Sequence, residues 1–284
     1  MEDRVGINLN GKTVHISSQE NLALWEAIAN QGWEKETLDL IKQEVSDASS
    51  FMDIGAWAGP ISLYAAHYAS TVYAIEPDPV VYTQLKKNVA LNTSIEHKIN
   101  CYQLAIDCED STKKLYARKD YGKSSTSLLA RVLDETSSLE CDTLTFKSFL
   151  KKNNIDRVGF IKIDIEGSEF LALPKMKEEL INLGKPSLLI SFHLSYLIEL
   201  ELNKRRLPLI LSKLILKLHH WIQFIPFKKE LKEYCAAVIE IIELYGYCYS
   251  LDGEQLNHKK LLSNPLQLGN NTFYLKNNPW RKHA

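Results

Sequence analysis

The sequence predicts an α/β fold in which a mostly parallel sheet carries helices on both faces. Short apolar strands alternate with amphipathic helices between residues 50 and 192, and glycine-containing or acidic turns follow the strand ends. A parallel sheet with helical crossovers buries such strands on both faces. A further pair of strand patterns, at 247–251 and 272–275, predicts an antiparallel edge to the same sheet.

The predicted elements divide the chain into an N-terminal extension, residues 1–48, and a larger domain, residues 49–284. The extension opens with a hairpin over 5–16, whose Asn10-Gly11 turn favours left-handed backbone, and continues with helices at 19–31 and 34–46. In the larger domain the expected strands are 50–54, 72–75, 98–106, 159–163 and 188–192, with a β-rich stretch at 113–131. The expected helices are 60–69, 78–92, 142–152, 167–182 and 228–245, with a helical insertion at about 196–226.

Composition limits the classes of partner and compartment. The 284-residue chain has a formal net charge of −1, so no basic field indicates a nucleic-acid partner, and none is expected. The five cysteines include no C-x-x-C pair, which favours a reducing compartment. The N-terminus lacks the apolar core of a signal peptide, and no segment is apolar enough to predict a membrane span. We therefore expect a cytoplasmic protein.

A glycine-containing loop, Asp53-Ile54-Gly55-Ala56-Trp57-Ala58-Gly59, follows the first core strand. Glycines at a strand-to-helix junction let the backbone approach a ligand closely. A dinucleotide site has the pattern G-x-G-x-x-G, whose amides bind a pyrophosphate, whereas here the leading residue is an acid that repels phosphate. The loop predicts a ligand with a positive centre and no phosphate, and S-adenosylmethionine (SAM) meets that description.

Glu76 ends the second core strand, 76 − 53 = 23 positions after Asp53, and Pro77 follows it. A carboxylate at this point can accept hydrogen bonds from both hydroxyls of a ribose. Taken alone, Glu76 is better explained as a solvated residue of a tight turn. In register with the acid-led loop, it favours a nucleoside cofactor site.

A second acidic segment, Asp164-Ile165-Glu166-Gly167-Ser168-Glu169, follows another apolar strand. Ligands of open α/β sheets bind at the carboxyl ends of the strands, so Asp164 is expected beside the transferable methyl group of the cofactor. Glu166 and Glu169 are candidates for acceptor binding, and turn or capping roles fit their positions equally well.

His193 ends the fifth core strand at the same edge of the sheet. A histidine of ordinary pKa can accept a proton from a hydroxyl, although a lone histidine is more often structural. Asp164 and His193 can also share a divalent metal, but two ligands without a third are weak evidence for one.

The insertion carries Lys204-Arg205-Arg206 and then a Leu- and Ile-rich helix over 207–221. Packing on the domain, or on a second subunit in a homodimer, is the first interpretation. A lid over an acceptor pocket is the second, and a peripheral membrane contact through 204–221 is the third.

Together these motifs resemble the FkbM family of methyltransferases, a branch of the Rossmann-like class I SAM enzymes. The resemblance covers about residues 48–195 and depends most on Lys162-Ile163-Asp164-Ile165-Glu166-Gly167-x-Glu169. The other matching motifs are Asp53-Ile54-Gly55-Ala56-x-x-Gly59, Glu76-Pro77, Asn88-x-x-x-Asn92, Ala105-Ile106 and Ser124-Ser125-x-Ser127. Trp57 and the insertion depart from the family pattern.

The resemblance implies a seven-stranded, mostly parallel sheet with an antiparallel C-terminal strand, and SAM-dependent methylation of a hydroxyl on a sugar, glycan or secondary metabolite. Its implied cofactor contacts are Asp53, Gly55, Ala56, Gly59, Glu76, Pro77, Ala105, Asp107 and Asp164. Its implied acceptor contacts are Ser124, Ser125, Glu166 and Glu169, with Asp164 and His193 as the catalytic pair. An NAD-dependent oxidoreductase and a catalytically inactive SAM-binding scaffold remain as alternatives.

Overall fold

The chain begins with the predicted hairpin. This computed structural model describes residues 4–18, 25, 26, 28, 29, 32, 34–118, 121, 126–131, 138–222 and 226–281. Strands β1 (Arg4–Leu9) and β2 (Lys12–Ser17) pair antiparallel, with Asn10 and Gly11 at φ of 47° and 84° in the turn. Helix α1 (Lys35–Glu44) follows. The predicted helix at 19–31 lies largely outside the described residues.

The first half of the larger domain follows the predicted alternation of strands and helices. Its elements are β3 (Ser50–Ile54), α2 (Pro60–Ala65), β4 (Thr71–Ile75), α3 (Pro79–Ala90) and β5 (Ile99–Tyr102). Helix α3 begins where its sequence predicts, because the Asp78 side chain accepts hydrogen bonds from the backbone N–H groups of Val80 and Val81. The strand predicted over 98–106 is two strands, since the chain leaves the main sheet after Tyr102.

The chain then forms a small second sheet that the sequence predicted only in part. Its strands are β6 (Ala105–Ile106), β7 (Ser111–Ala117), β8 (Thr126–Ser127) and β9 (Ser138–Leu144), in the order β6–β9–β7–β8. The helix predicted over 142–152 was wrong at its start. Strand β9 extends to Leu144, and α4 (Phe146–Lys152) begins after Thr145, whose hydroxyl accepts a hydrogen bond from the N–H of Ser148.

The helix predicted over 167–182 is divided into three pieces between β10 (Phe160–Ile163) and β11 (Ser187–Ser191). These are α5 (Glu169–Ala172), a 3-10 turn (Leu173–Met176) and α6 (Lys177–Asn182). Pro174 explains the division, because proline removes a backbone N–H and disrupts the α-helical hydrogen-bond pattern.

The C-terminal part of the chain completes the sheet. It contains α7 (Leu194–Lys204), α8 (Leu209–Ile222), α9 (Lys228–Ile242), β12 (Tyr247–Ser250), α10 (His258–Ser263) and β13 (Thr272–Lys276). The predicted insertion at about 196–226 thus corresponds to most of α7 together with α8. None of the described helices has the length and apolar character needed to cross a lipid bilayer.

The main sheet has seven strands in the order β12–β13–β11–β10–β3–β4–β5. Strands β11, β10, β3, β4 and β5 are parallel to their neighbours within this set, whereas β13 is antiparallel to both β11 and β12. The predicted α/β class is therefore confirmed. The chain switches direction across the sheet at β3, which lies between β4 and β10, and ligands of such sheets bind at the carboxyl ends beside this point.

Asn88 of α3 and Asn92, two residues after its end, bind the hairpin to the larger domain. The Asn92 amide forms two hydrogen bonds with the backbone of His15, at 2.8 and 2.7 Å. The Asn88 amide accepts from the N–H of Ser17 at 3.1 Å and donates to the carbonyl of Ala58 at 3.0 Å. Residues four apart lie on one side of a helix, so both side chains face the hairpin. They form hydrogen bonds with the free edge of β2, and Asn88 also binds the loop after β3. The boundary near residue 48 stays a prediction.

Candidate active site

A cavity of about 380 Å³ lies at the carboxyl ends of β3, β4 and β10. One part of its wall, the less polar group, consists of Glu76 together with the apolar residues Pro77, Val81, Leu104, Ala105 and Ile106. The other part, the charged group, consists of Glu34, Lys162, Asp164, Glu166 and His193. Glu76 follows β4 and Asp164 follows β10, on opposite sides of β3. Because neighbouring strands are about 4.8 Å apart, these two acids are roughly 10 Å apart across the cavity.

Glu76 is buried in the wall of the cavity, with 6% of its surface exposed. Its carboxylate accepts hydrogen bonds from the backbone N–H groups of Trp57 and Asp78, each at 2.9 Å. Burial raises the pKa of Glu76 to about 8. The two N–H groups fix the carboxylate in place at the cavity, where it can accept hydrogen bonds from a ligand.

Trp57, the residue that departs from the family pattern, connects the glycine loop to the N-terminal extension. Its backbone has φ of 49°, and its ring stacks on that of Trp25 with 6.1 Å between centroids and 21° between planes. The side chain therefore packs against the extension, while its N–H binds Glu76. The tryptophan at this position therefore has a structural role, since it contacts the N-terminal extension of this chain.

The two glycines of the loop have different roles. Gly55 has φ of 88°, and a Cβ there would lie 1.9 Å from the carbonyl oxygen of Asp164. Only glycine lets the loop after β3 approach the segment after β10 so closely. Gly55 and Ala56 line the cavity, whereas Gly59 precedes α2 and faces Leu85 instead.

Asp53 lies behind the cavity wall and does not line it. The side chain is fully buried, one oxygen accepts a hydrogen bond from the Ser62 hydroxyl at 2.6 Å, and the other lies 3.7 Å from Nζ of Lys162. Burial raises the pKa of Asp53. Its contacts are with Lys162 and with Ser62 in the first turn of α2, and the contact with cofactor expected from the sequence stays a prediction.

Asp107 is a second predicted contact that the fold places elsewhere. Its side chain is buried and lies 2.6 Å from Nζ of Lys113, outside the cavity lining. The neighbouring Ala105, and also Pro77, do line the cavity.

Lys162 is the one basic side chain in the middle of β10, and the sequence interpretation gave it no role of its own. It is 4% exposed, with Nζ 3.3 Å from Asp164 and 3.7 Å from Asp53. Burial lowers its pKa, but the charges of Asp164, Asp53 and Glu34 outweigh that effect and keep it raised. Glu34 also lines the cavity, with burial raising its pKa.

His193 is held by Glu169, which is fully buried. One Glu169 oxygen accepts from the backbone N–H of His193 at 2.7 Å and lies 3.0 Å from Nδ1, and the other accepts from the N–H of Gly167 at 2.8 Å. Glu169 therefore does not line the cavity, and its contact is with His193. With Nδ1 directed at Glu169, Nε2 faces Asp164 and Glu166, at 3.6 and 3.8 Å.

The surroundings of His193 favour its protonated form. Burial of the ring lowers its pKa, but the hydrogen bond and charge of Glu169, together with the charges of Asp164 and Glu166, outweigh burial and raise the pKa to about 9. Burial raises the pKa of Glu166. The site thus combines an oriented imidazole with two carboxyl groups that it can exchange protons with.

Tyr196, in the first turn of α7, supports His193 from the side. The two rings stack with 5.4 Å between centroids and 14° between planes. Arg131 and Arg118 lie over the Tyr196 ring, 4.4 and 5.6 Å from its centroid. The sequence interpretation missed this residue, although its position three after His193 in a helix places it beside the imidazole.

Two of the predicted acceptor contacts can be located in the structure and two cannot. Ser124 and Ser125 lie outside the described residues. Ser127, from the same motif, lines the cavity, and its hydroxyl donates to the carbonyl of Glu166 at 2.7 Å. Glu166 has φ of 56°, a left-handed conformation that turns its side chain toward His193.

Asp164, Glu166 and His193 can together hold a metal ion. One ligand atom from each lies within 4.8 Å of the others. Glu166 is thus a third candidate beside the two residues that the sequence indicated. Carboxylate oxygens with one imidazole suit a divalent cation, and metal binding stays a prediction.

Comparison with known proteins shows the family of this chain. The model of the methyltransferase FkbM domain matches residues 53–249. A protein of Beauveria bassiana named Methyltransferase 1 is 25% identical over 152 residues, which cover 47% of this chain and 60% of that protein. Among solved structures, a methyltransferase FkbM from Methylobacillus flagellatus is 21% identical with a TM-score of 0.38, covering 51% of this chain and 33% of that one.

A second solved structure, Pyrococcus horikoshii TYW2 in complex with MeSAdo, is 15% identical with a TM-score of 0.35, covering 68% of this chain and 53% of that one. The chain thus spans less than two thirds of the length of each of these relatives. The family model matches more than half of this chain, from β3 to β12. The chain therefore belongs to the FkbM methyltransferase domain family.

Proposed function

We propose that this protein is a SAM-dependent O-methyltransferase, whose acceptor is a hydroxyl of a sugar, a glycan or a secondary metabolite. The observation that carries the proposal is His193, which is oriented by Glu169 and lines the same cavity as Glu76. A proton acceptor and a nucleoside-binding carboxylate in one cavity are what transfer to a hydroxyl requires.

The charges around the cavity fit a cationic cofactor. Glu34, Asp164 and Glu166 line it, and Asp53 and Glu169 lie directly behind, against two basic groups, Lys162 and His193. Burial raises the pKa of Glu34, Asp53 and Glu166, and the neighbouring acids raise it further. Both effects disfavour the charged forms of these carboxyl groups. A cationic ligand would relieve this cost, whereas a pyrophosphate would add to it.

The less polar group of the cavity fits a nucleoside. Glu76 can accept hydrogen bonds from the hydroxyls of a ribose, and the apolar side chains of Val81, Leu104 and Ile106 provide surface for an adenine. SAM would supply a methyl group bonded to a positively charged sulfur. The distance of roughly 10 Å between the ends of β4 and β10 leaves room for the two parts of such a cofactor.

His193 would take the proton of the acceptor hydroxyl at Nε2. With a pKa of about 9, the imidazole is protonated at neutral pH in the free protein. A positive charge bound nearby disfavours the imidazolium and lowers its pKa, so cofactor binding prepares the base. Glu169 then stabilises the imidazolium that forms when the proton is taken from the acceptor.

The test is transfer of labelled methyl from SAM to a panel of glycans and hydroxylated metabolites, with and without a chelator. We expect transfer by the wild type, loss of at least about a hundredfold in His193→Gln, and SAM binding by calorimetry in both. Thermal stabilisation by NAD and not by SAM would indicate an oxidoreductase instead. Binding of SAM without transfer to any acceptor would indicate an inactive scaffold, and loss of transfer with chelator would establish the metal.

A further inference from the structure

Helix α8 exposes a set of apolar side chains that a protein surface normally covers. Eight large hydrophobic residues are exposed in the described part of the chain, and six of them lie on this one helix. The six are Leu209, Ile210, Leu211, Leu214, Leu218 and Trp221. Ile210 and Trp221 are 86% and 67% exposed, so this apolar patch is concentrated rather than scattered.

The exposed apolar and basic side chains of α8 lie on different sides of the helix. Successive residues turn by about 100°, which places an apolar strip over one half of the exposed surface and a basic strip beside it. The apolar strip contains Ile210, Leu211, Leu214, Leu218 and Trp221, and the basic strip contains Lys213, Lys217 and His220. Ser212, on the opposite side, is fully buried against the domain.

The charge on α8 itself has one sign, since its residues include Lys213 and Lys217 and no Asp or Glu. Residues 202–229 contain five further Lys or Arg, of which Lys204 and Arg205 are paired with Glu201 and Glu230. On α8 itself, the Nζ of Lys217 lies 4.3 Å from the centroid of the Trp221 ring, where the two strips meet. An apolar strip with a tryptophan and flanking lysines is the pattern of helices that lie in the interface of anionic bilayers.

We propose that α8 binds the anionic surface of a lipid bilayer, with its axis parallel to the membrane and its apolar strip inserted among the lipid headgroups. Charge complementarity selects this occupant. A second copy paired through the same helix would offer no Asp or Glu of α8 to the basic strip, whereas an anionic bilayer offers its phosphates. This surface lies outside the cavity, so the proposal can be tested without an acceptor.

The test is sedimentation of the full chain with vesicles of phosphatidylcholine, alone or with about 30% phosphatidylglycerol. We expect at least about tenfold stronger binding to the anionic vesicles, and strong salt dependence. Ile210→Glu/Trp221→Glu should reduce binding below detection, and Lys213→Gln/Lys217→Gln should weaken it by about tenfold or more.

Matched controls come from other exposed surfaces of the chain. Ile181→Glu replaces a side chain that is 46% exposed on α6, and Lys151→Gln/Lys152→Gln removes two exposed charges from α4. Both should bind as the wild type does, and all variants should keep the wild-type thermal midpoint. Failure of the wild type to bind anionic vesicles would overturn the proposal, as would equal losses in the controls. A dimer in light scattering that Ile210→Glu/Trp221→Glu dissociates, without vesicle binding, would assign α8 to a second copy.

Discussion

Replacing Glu169 by Gln would show whether this buried carboxylate sets the proton affinity of His193. Glu169 lies 3.0 Å from Nδ1 of His193, and an effective dielectric constant of about 20 gives about 5.5 kcal/mol for opposite charges at that distance. The difference between the ordinary histidine pKa near 6.5 and about 9 corresponds to about 3 kcal/mol. The interaction energy with the charge of Glu169 is therefore larger than the free energy that corresponds to the pKa difference, and burial of the ring opposes part of it.

With Gln at position 169, we expect the pKa of His193 to fall by at least about 2 pH units, because burial remains while the charge is lost. The assay is two-dimensional NMR of the histidine ring nitrogens over a pH series, with the His193 signal assigned from His193→Gln. The neutral fraction of His193 at pH 7 should rise from about one in a hundred to about one half. A His193 pKa that stays within about half a pH unit of wild type would refute the reasoning.

The same pair predicts how stability depends on pH. Because the folded pKa of His193 is above its unfolded value, its stabilising contribution is complete below about pH 6.5 and is lost as pH rises through about 9. That contribution is about 3 kcal/mol at most. Denaturation by urea should therefore show a decline over this window that is larger in the wild type than in Glu169→Gln, by about 3 kcal/mol at most. The raised pKa of Glu76 gives both proteins a further decline up to about pH 8, which cancels in the comparison. The lost hydrogen bond of the variant lowers stability at every pH, so it does not mimic the decline.

Three other substitutions test separate parts of the site. Gly55→Ala places a Cβ 1.9 Å from the carbonyl oxygen of Asp164, and the thermal midpoint should fall by about 10 °C or more, if the variant folds at all; an unchanged midpoint would contradict the close approach. Glu76→Gln should raise the dissociation constant for SAM by about tenfold to a hundredfold in calorimetry, since the amide nitrogen replaces an acceptor oxygen and faces a backbone N–H donor. Tyr196→Leu removes the ring stacked on His193 and also the hydroxyl that is hydrogen-bonded to Glu166, and it should lower kcat about tenfold. Tyr196→Phe removes the hydroxyl alone and should lose less; equal losses in the two would exclude stacking as the cause.

The fold was predictable wherever a local pattern decides the structure. Strand β3 (Ser50–Ile54) has the predicted bounds, because an apolar run between turn residues is typical of a strand buried on both faces. The small sheet was harder to predict. Strand β9 (Ser138–Leu144) has charged and polar residues among its apolar ones and is completed by non-local pairing with β7, so its own residues do not identify it as a strand. The local signal of the boundary is the capping residue Thr145.

The site divides in the same way. The positions of Glu76, Asp164 and His193 follow from one rule, that parallel strands end at a common edge. Lys162 could have been identified as paired from the sequence, since a lysine within a short apolar strand must be matched by acids. Glu34 gives no such signal, because its place in the cavity depends on how the N-terminal extension folds back onto the loop.

The acid at the head of the glycine loop predicts a cationic ligand, and the structure changes which residues justify that prediction. Asp53 is matched by Lys162 and by the Ser62 hydroxyl, so its own charge is largely offset before any ligand arrives. The acids that face the cavity are instead Glu34, Asp164 and Glu166, although Asp164 shares Lys162 with Asp53 and lies 3.3 Å from its Nζ. It follows that Asp53→Asn should chiefly lower stability, because it leaves the buried Lys162 less well paired, whereas neutralising Asp164 should chiefly weaken binding of a cationic cofactor.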